Sequence, residues 1–472
     1  MVFVAGGFLT ILDSTIINVA LPAIGRSLRV APTAVGAISI TYLVATGVSV
    51  SASGWLADHA GAKRTLLCAM LAFTVASGLC GLARTLSQLV ILRTAQGLAG
   101  GLIAPVGLTL LFRTFPQEQR VRVSSMTMIP TLLAPAAGPI VGGLLVTDLS
   151  WRYVFFVNLP LGLAASLFGV LFVAEPDRHP EFVRFDVLGF LSTALGLGLL
   201  MFGLAEGPSL GWSSDPVLVS VGPGLVLLAL SVRWCLRAGQ PVLRLRLFAN
   251  DRLRSCSQVS APTAMGFVGM LYGVALYFQY GRGLSPLTSG LSAFPDAVGV
   301  LCGGQLASRR LYRRYGARRL VSIGIAGSAT AMALMATMGA HTSLWWARLL
   351  LFAVGVFLGL VFIPTQVTAF SRISPADTSA ASTLYTVVRQ VAGAFGVAAL
   401  TTVVGLLGPS HVVDGLRGPN LTAYRWPFLL AAALTLAGLH GARRMPSEPP
   451  PSADGEPFQP VGEARPDGLP SP

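Results

Sequence analysis

Charge is what this sequence has least of. Only 11% of its 472 residues are Asp, Glu, Lys or Arg, whereas a soluble globular chain carries roughly a quarter. With 53% of the residues hydrophobic, so few charges cannot cover a surface that faces water. Apolar stretches run for about 20 residues, the length that a helix needs to cross the hydrocarbon core. The composition excludes a soluble protein and predicts an all-α membrane protein.

The sequence also lacks the patterns of a disulfide framework, a metal site and a catalytic centre. Its five cysteines are scattered, and most lie in or beside apolar spans, where they act as small packing residues. No HExxH and no nucleophile motif is present, and the five histidines lie at loops or helix ends. We therefore predict no enzyme activity and no cofactor.

A net charge of +14 would indicate nucleic-acid binding in a soluble protein. Here the basic residues lie in short loops between apolar segments, and no nucleic-acid motif accompanies them. This distribution is typical of cytoplasmic loops that face anionic lipid. The predicted partner of the basic residues is membrane lipid and not nucleic acid.

Fourteen apolar segments can be placed along the chain. They cover residues 3–22, 34–56, 65–84, 88–112, 123–147, 153–173, 187–206, 216–236, 256–280, 287–307, 319–339, 343–370, 379–407 and 423–441. The first has no positive region before it and no cleavage site after it, so it reads as a membrane helix and not as a signal peptide. An even number of spans puts both termini on one side. The loops on that side hold 22 Lys and Arg against 7 on the other, which predicts cytoplasmic termini.

A short motif occurs twice. Gly-Trp-Leu-Ala followed by Gly-Ala-Lys-Arg at 54–64 is echoed by Gly-Gln-Leu-Ala followed by Gly-Ala-Arg-Arg at 304–319, after the second and tenth segments. If segments seven and eight are inserted, the chain is a repeat of six helices, with the substrate site expected between the halves. The predicted units are an N-terminal six-helix bundle (1–175), linker helices (184–240), a C-terminal six-helix bundle (250–444) and a disordered cytoplasmic tail (445–472).

Four charged residues fall inside predicted spans: Asp13, Arg93, Asp296 and Arg389. Each costs about 2.5–3.5 kcal/mol at a helix centre, so each needs a reason to be there. Asp13 shares a polar stripe with Asn18 that must face a cavity or a partner helix. Because burial disfavours its charged form, Asp13 is a candidate proton carrier. The alternative is a structural ion pair that fixes the first helix.

Arg93 lies on one helical face with Gln96 and three glycines, where another helix can approach closely. Two roles are open for it: pairing with an ionised Asp13 and release on protonation, or a static polar contact. Arg389 is its candidate counterpart in the second half, with a packing role as the alternative.

Asp296 follows Phe294 and a helix-distorting proline in the tenth segment. An aromatic and an acidic group together favour a cation. The alternative is a solvated residue nearer the helix end. We expect the substrate cavity to be lined by Asn18, Gln96, Phe294, Asp296 and Arg389.

Two further motifs combine glycine with proline or charge. In the fifth segment, the small residues and the kink-capable proline predict a bending or sliding surface formed by Gly138, Pro139, Gly142 and Gly143. The loop after the second segment predicts a tight turn with an acidic helix cap and a basic pair at the headgroups. Its members are Gly54, Asp58, Gly61, Lys63 and Arg64. A plain solvated loop is the alternative, against which the repeat argues.

In this order the motifs resemble those of the fourteen-helix drug:proton antiporters of the major facilitator superfamily. Residues 12–22 resemble the first-helix signature of that family, 54–64 its loop motif and 89–97 its fourth-helix arginine motif. Residues 134–143 are similar to its antiporter motif, with Ala134 where glycine is usual. The likeness continues at 151–160 and 388–396.

The resemblance implies two bundles that rock about a central cavity, with proton coupling through Asp13 and Arg93. It implies that Asp58 latches the cytoplasmic side when the cavity faces outward, and that the direction is export driven by a proton gradient. The expected substrates are small hydrophobic drugs or antibiotics, cations among them, carried by a monomer in a bacterial inner membrane. Two alternatives stay open: a dedicated exporter of one endogenous metabolite or lipid, and a membrane sensor that no longer transports.

Overall fold

A computed structural model describes residues 2–114, 134–135, 137–173, 185–239, 241–374, 377–408, 410–413 and 416–446. The first part of the predicted fifth helix (123–133) and the predicted tail from 447 onward lie outside these residues. The described chain is helical apart from one short antiparallel hairpin, in which β1 (Ser410–Val413) pairs with β2 (Leu416–Pro419).

The helices follow the predicted apolar segments closely. The first seven are α1 (Val2–Leu28), α2 (Gly36–His59), α3 (Ala62–Leu82), α4 (Leu86–Thr114), α5 (Ala137–Leu149), α6 (Tyr153–Phe172) and α7 (Val187–Leu210). They are followed by α8 (Asp215–Arg237), α9 (Asp251–Leu276), α10 (Pro286–Leu306), α11 (Tyr312–Met335), α12 (Leu344–Phe370), α13 (Thr378–Leu407) and α14 (Leu421–Arg444). A π-helical turn, Tyr277–Gly281, extends α9, and another, Ala307–Leu311, follows α10.

Within the described residues, ten helices are long and apolar enough to cross a bilayer: α1–α4, α6–α9, α12 and α13. Helices α10, α11 and α14 reach 21 to 24 residues but are more polar. Large apolar side chains such as Leu171, Val219 and Leu225 point away from the protein, each more than half exposed. Lipid is the solvent that makes such a surface stable, so the chain is a multi-pass membrane protein.

Close contacts between helices depend on glycine at equivalent places along the chain. Helix α4 packs on α2, where a Cβ at Gly97 would lie 2.6 Å from the Tyr42 carbonyl oxygen. Helix α12 packs on α10, where a Cβ at Gly355 would lie 2.0 Å from the Asp296 carbonyl oxygen. Both pairs join the second and fourth helices of a six-helix set when α7 and α8 are counted as inserted.

Helices from the two ends of the chain also contact each other directly. Helix α1 packs on α9 and α10, and α2 packs on α13. Helix α7 packs on both α2 and α13, while α8 packs mainly on α7. Helices α7 and α8 are therefore attached at the side of the molecule where α2 meets α13.

The repeated motif has the same backbone feature in both copies. Gly61 precedes α3 with a φ of 91°, and Gly316 interrupts α11 with a φ of 72°. A side chain would be strained at either φ, so glycine is required for both turns. Asp58 lies in the last turn of α2, and Gly61 is the N-cap residue of α3, which begins at Ala62. The helix cap expected of Asp58 stays a prediction.

Candidate functional site

A buried ion pair joins α1 to α4. The Arg93 Nη1 atom lies 2.7 Å from Asp13 Oδ2, and neither residue has any surface exposed. The guanidinium also lies 4.3 Å from the centre of the Tyr42 ring on α2. Removing one partner of such a pair leaves an uncompensated buried charge, which costs about 3–5 kcal/mol.

Neutral amides complete the shell of Asp13. Its Oδ1 atom accepts hydrogen bonds from Gln96 Nε2 at 2.9 Å and from Asn158 Nδ2 at 2.8 Å. Arg93 also donates to Gln96 Oε1 at 2.8 Å, so Gln96 bridges both charged groups. Helices α1, α4 and α6 thus meet at one carboxylate.

A central cavity lies between α1 and α5 on one side and α9, α10 and α12 on the other. Its volume is about 230 Å³. Its described lining is Thr15, Asn18, Val19, Pro135, Pro139, Phe267, Leu271, Val274, Ala275, Ser289, Ala293, Asp296, Ala297, Val300, Leu301 and Phe362. Most of these side chains are apolar, so the cavity favours a hydrophobic ligand with few polar groups.

Asp296 is the one charged side chain among the described residues that line this cavity. It is 4% exposed, and its Oδ1 atom has no hydrogen-bond partner in the described part of the chain. A buried carboxylate without a partner is costly, and a cation in the cavity would supply the missing partner.

Three of the five residues expected in the cavity lie elsewhere. Asn18 and Asp296 are in its lining, but Gln96 faces the Asp13 carboxylate instead. Phe294 comes two residues before Asp296, about 200° away around the helix, and is absent from the described lining. Arg389 is exposed on α13 and is also outside it. These three assignments to the cavity are corrected.

The polar stripe of α1 divides between two environments. Asp13 is turned toward α4 and α6, while Asn18, about 140° away around the helix, lines the central cavity. One helix therefore carries a side chain of the ion pair and a side chain of the cavity.

Helix α5 makes backbone-level contacts on both sides. A Cβ at Gly138 would lie 2.1 Å from Thr15 Oγ1, and one at Gly142 would lie 3.0 Å from the Ile16 carbonyl oxygen, both on α1. On the other side, a Cβ at Gly143 would lie 2.8 Å from Leu287 Cα on α10. The close approach expected of this motif is present, and it extends to both halves of the chain.

The residues of the 54–64 loop motif lie around the end of α2 and the start of α3. Lys63 Nζ donates to the Val170 carbonyl oxygen of α6 at 3.3 Å, and Arg64 is exposed. Asp58 is half-buried, and no side chain lies within 4 Å of a Cβ built at Gly54. The motif lies far from the Asp13 ion pair along α2 and α3.

Hydrogen bonds to backbone carbonyl oxygens seal the end of the molecule where α1 and α9 finish. Gln279 Nε2 donates to the Val19 carbonyl oxygen at 2.8 Å, and Tyr280 Oη donates to that of Pro22 at 3.0 Å. Tyr272 Oη donates to the Pro32 carbonyl oxygen at 3.0 Å. We call this set the α1–α9 junction.

Asn158 and Gln279 were not singled out by the sequence patterns. Asn158 lies in the segment 151–160, whose likeness to the family was noted without a role for this residue. A neutral amide in an apolar span is a weaker signal than a charge, because it costs less to bury. Within the described residues, no group of three or more His, Cys, Asp or Glu is placed to hold a metal ion.

Known proteins resemble the chain along most of its length. A sequence model of the Major Facilitator Superfamily matches residues 3–397. The MdtD multidrug resistance protein of Pectobacterium atrosepticum is 29% identical over 425 residues, covering 90% of both chains. The protein of the same name from Escherichia coli K12 is 29% identical over 442 residues, covering 92% of this chain and 91% of its own.

Solved structures share the fold at low sequence identity. An auto-inhibited peptide transporter of the POT family superposes with a TM-score of 0.69 at 17% identity, covering 94% of this chain and 96% of its own. The inward-open xylose transporter XylE of Escherichia coli superposes with a TM-score of 0.59 at 14% identity, covering 92% and 93%.

Proposed function

This chain belongs to the major facilitator superfamily, and we propose that it is a proton-coupled exporter of small hydrophobic compounds, cations among them. The observation that carries the proposal is the buried Asp13–Arg93 pair on a helix that also lines the central cavity. The multidrug resistance proteins that it resembles support export of drugs or antibiotics.

The proposed topology has fourteen spans, α1–α14, with both termini in the cytoplasm of a bacterium. Helices α1–α6 and α9–α14 would form two bundles, and α7 and α8 the inserted pair. The contacts of α2 with α4 and of α10 with α12 support equivalent halves. In this orientation the α1–α9 junction is on the outer side, so the structure corresponds to a state closed to the outside.

Protonation of Asp13 is the proposed coupling step. It removes the negative charge that Arg93 pairs with, and a buried arginine without a counter-ion is unstable where it lies. Loss of the Asp13–Arg93 ion pair alters the packing of α1 against α4. Because Asn18 lies five residues from Asp13 on α1, about 7.5 Å along the axis, the same movement reaches the cavity.

The cavity chemistry supports a hydrophobic cation as substrate. Its walls are apolar, and Asp296 supplies a carboxyl group with an unpaired oxygen. Asp296 on α10 would hold the cationic group while the apolar residues of α9 and α12 contact the rest. The carriers of proton and substrate are then separate carboxylates on separate helices.

Ethidium efflux from cells without native pumps tests the coupling. We expect uncoupler-sensitive efflux in the wild type and none above background in Asp13→Asn at equal membrane expression, because the amide keeps its size but takes no proton. Asp215→Asn, at an exposed position at the start of α8, is the matched control and should transport normally. Efflux by Asp13→Asn at the wild-type rate contradicts the proposal.

Asp296→Asn tests the substrate class separately. We expect it to lose efflux of cationic ethidium while it keeps efflux of a neutral hydrophobic dye, since only the cation needs the carboxylate. Equal loss for both dyes would contradict a charge-recognition role.

A dedicated exporter of one endogenous metabolite is the second candidate. The small volume of the central cavity, about 230 Å³, favours it. A wild type that protects cells against a single compound and moves no dye would establish this candidate instead.

A further inference from the structure

A second cavity lies between the inserted helix pair and the C-terminal helices. It has a volume of about 310 Å³, with α7 and α8 on one side and α9 and α13 on the other. We call it the lateral cavity. Its lining on α13 runs from Val387 to Phe395, about 12 Å at 1.5 Å per residue. The cavity is therefore elongated along the helix axes.

The walls of the lateral cavity leave no polar atom for a ligand. Thr193 Oγ1 and Ser231 Oγ hydrogen-bond each other at 2.6 Å, and Thr193 also bonds the Gly189 carbonyl oxygen at 2.7 Å. The other described lining residues are aliphatic, apart from Phe395, Met265 and Cys235, and none is charged. A polar ligand would lose its hydration without compensation, while an apolar chain would not.

Arginines gather at one end of the lateral cavity. The lining residues Leu243 and Leu245 flank Arg244, and they belong to the segment that connects α8 to α9. Five arginines lie within two positions of a lining residue along the chain: Arg233, Arg237, Arg244, Arg246 and Arg389. All five are exposed.

In the described part of the chain, one of these arginines has a carboxylate partner. Arg244 pairs with Asp377 at 2.9 Å, and both are partly exposed. Asp186 accepts instead from Trp234 Nε1 at 2.9 Å and the Val242 amide at 3.1 Å. Arg246 donates to the Leu236 carbonyl oxygen. The end of the cavity is left positive, and guanidinium groups hold phosphate oxygens well.

We propose that the lateral cavity binds an acyl chain of an anionic phospholipid, whose phosphate is held by the arginines at its end. An apolar slot along the bilayer normal and a positive rim match the two parts of such a lipid. The inference rests on the proposed orientation, in which this rim faces the cytoplasmic leaflet, and does not depend on efflux. The bound lipid would fill the space that separates the inserted pair from α9 and α13.

Lipid retention tests the inference. The full chain is reconstituted in vesicles of phosphatidylethanolamine and phosphatidylglycerol, extracted in mild detergent, and the lipids that remain bound are counted by native mass spectrometry. We expect the wild type to retain phosphatidylglycerol in preference to phosphatidylethanolamine. Ala392→Trp, which fills the cavity from α13, should abolish that retention. Val226→Trp, on the exposed side of α8, should retain the lipid.

The arginines are tested with Arg233→Gln and Arg237→Gln together. At about 1 kcal/mol for each arginine, we expect retention of phosphatidylglycerol to fall about 30-fold. The control is the exposed Arg443→Gln at the end of α14, which should change nothing. Because Ala392→Trp could disturb the fold, Ala261→Phe on α9 fills the same cavity independently, and thermal unfolding of each variant is followed.

Two results overturn the inference. One is equal retention of phosphatidylglycerol by the wild type and by both filled-cavity variants. The other is a wild type that retains phosphatidylethanolamine as readily as phosphatidylglycerol. Neither measurement uses dye or a proton gradient, so a failed efflux assay leaves this result unaffected.

Discussion

Asn158 holds three helices at one point. Its Nδ2 atom donates to Asp13 Oδ1 on α1 and, at 3.0 Å, to Ser77 Oγ on α3. Ser77 in turn donates to the Phe155 carbonyl oxygen at 2.9 Å. The amide therefore positions the carboxylate, and it remains a donor whether or not Asp13 carries a proton. We treat Asn158 as a positioning residue for the proposed coupling step.

Asn158→Ala tests this positioning. A hydrogen bond to a charged group contributes about 1.5–3 kcal/mol, so we expect a loss of efflux of about tenfold or more and a lower thermal stability. Asn158→Gln should recover part of the efflux, which a purely structural defect would not allow. Ser77→Ala is the control, because the described hydrogen bonds of Ser77 go to Asn158 and the Phe155 carbonyl oxygen and not to Asp13; a loss as large as that of Asn158→Ala would contradict the assignment.

Charged residues could be predicted from the sequence more readily than the neutral amides Asn158 and Gln279. Asp13, Arg93 and Asp296 stand out because a charge in an apolar span needs a partner or a cavity. Their surroundings required the structure: Asp13 and Asn18 share a stripe by helical geometry, yet face different neighbours. The sequence shows which residues share a helical face with Gln96, but it does not show which neighbouring helix or cavity that face contacts. Gln96 was therefore assigned to the cavity.

Helix α5 is held between α1 and α10 by contacts that leave no room for a side chain. The closest is at Gly290, where a Cβ would lie 2.0 Å from the Pro139 carbonyl oxygen. On the same side, Thr147 Oγ1 accepts from the Leu287 amide at 3.0 Å. Such close backbone contacts can form in only one relative position of α5 and α10. Their presence therefore indicates that these two helices are closed against each other.

Gly290→Ala should therefore open the contact between α5 and α10. Overpacking costs about 1–3 kcal/mol, which favours the state in which the helices are apart. In a background without native cysteines, we expect Ser289→Cys in the central cavity to react about tenfold faster with an impermeant maleimide added outside. Gly222→Ala, with open space around its Cβ, should leave the labelling rate unchanged. Slow labelling of both variants would contradict a closing role.

The repeat shows what a sequence can and cannot specify about an element. Gly61 and Gly316 could be predicted as turns because the motif occurs twice, and both have positive φ. The end of α2 was less predictable: α2 continues through His59, three residues beyond the predicted segment, because a helix boundary cannot be read from sequence to within two residues. The fourteen apolar segments located the helices well because lipid demands long apolar runs.

Across the whole molecule, the α1–α9 junction joins the two ends of the chain through tyrosine hydroxyls. Tyr272 and Tyr280 each donate to a carbonyl oxygen of the N-terminal part, Pro32 and Pro22. Tyr277, in the same π-helical turn as Tyr280, donates to the Gly339 carbonyl oxygen at 3.0 Å. Tyr277 thus forms a hydrogen bond within the C-terminal part, while Tyr272 and Tyr280 form hydrogen bonds to the N-terminal part.

These tyrosines give a matched comparison. Each hydrogen bond contributes about 0.5–1.5 kcal/mol, so Tyr272→Phe with Tyr280→Phe should shift the equilibrium toward the outward-open state by about tenfold. The rate of Ser289→Cys labelling from outside measures the shift. Tyr277→Phe removes a similar bond but none across the junction, and should label like the wild type. Equally fast labelling of Tyr277→Phe would show that the junction is not the seal.

The Asp13–Arg93 pair also has an electrical consequence. While both groups are charged, the pair has no net charge, so moving it through the membrane field does no work. Once Asp13 is protonated, α1–α6 carry the uncompensated charge of Arg93, and each elementary charge that crosses 100 mV is worth about 2.3 kcal/mol. Efflux should then respond to membrane voltage even when the pH is equal on both sides. A potassium diffusion potential imposed with valinomycin on vesicles would measure that dependence in the wild type.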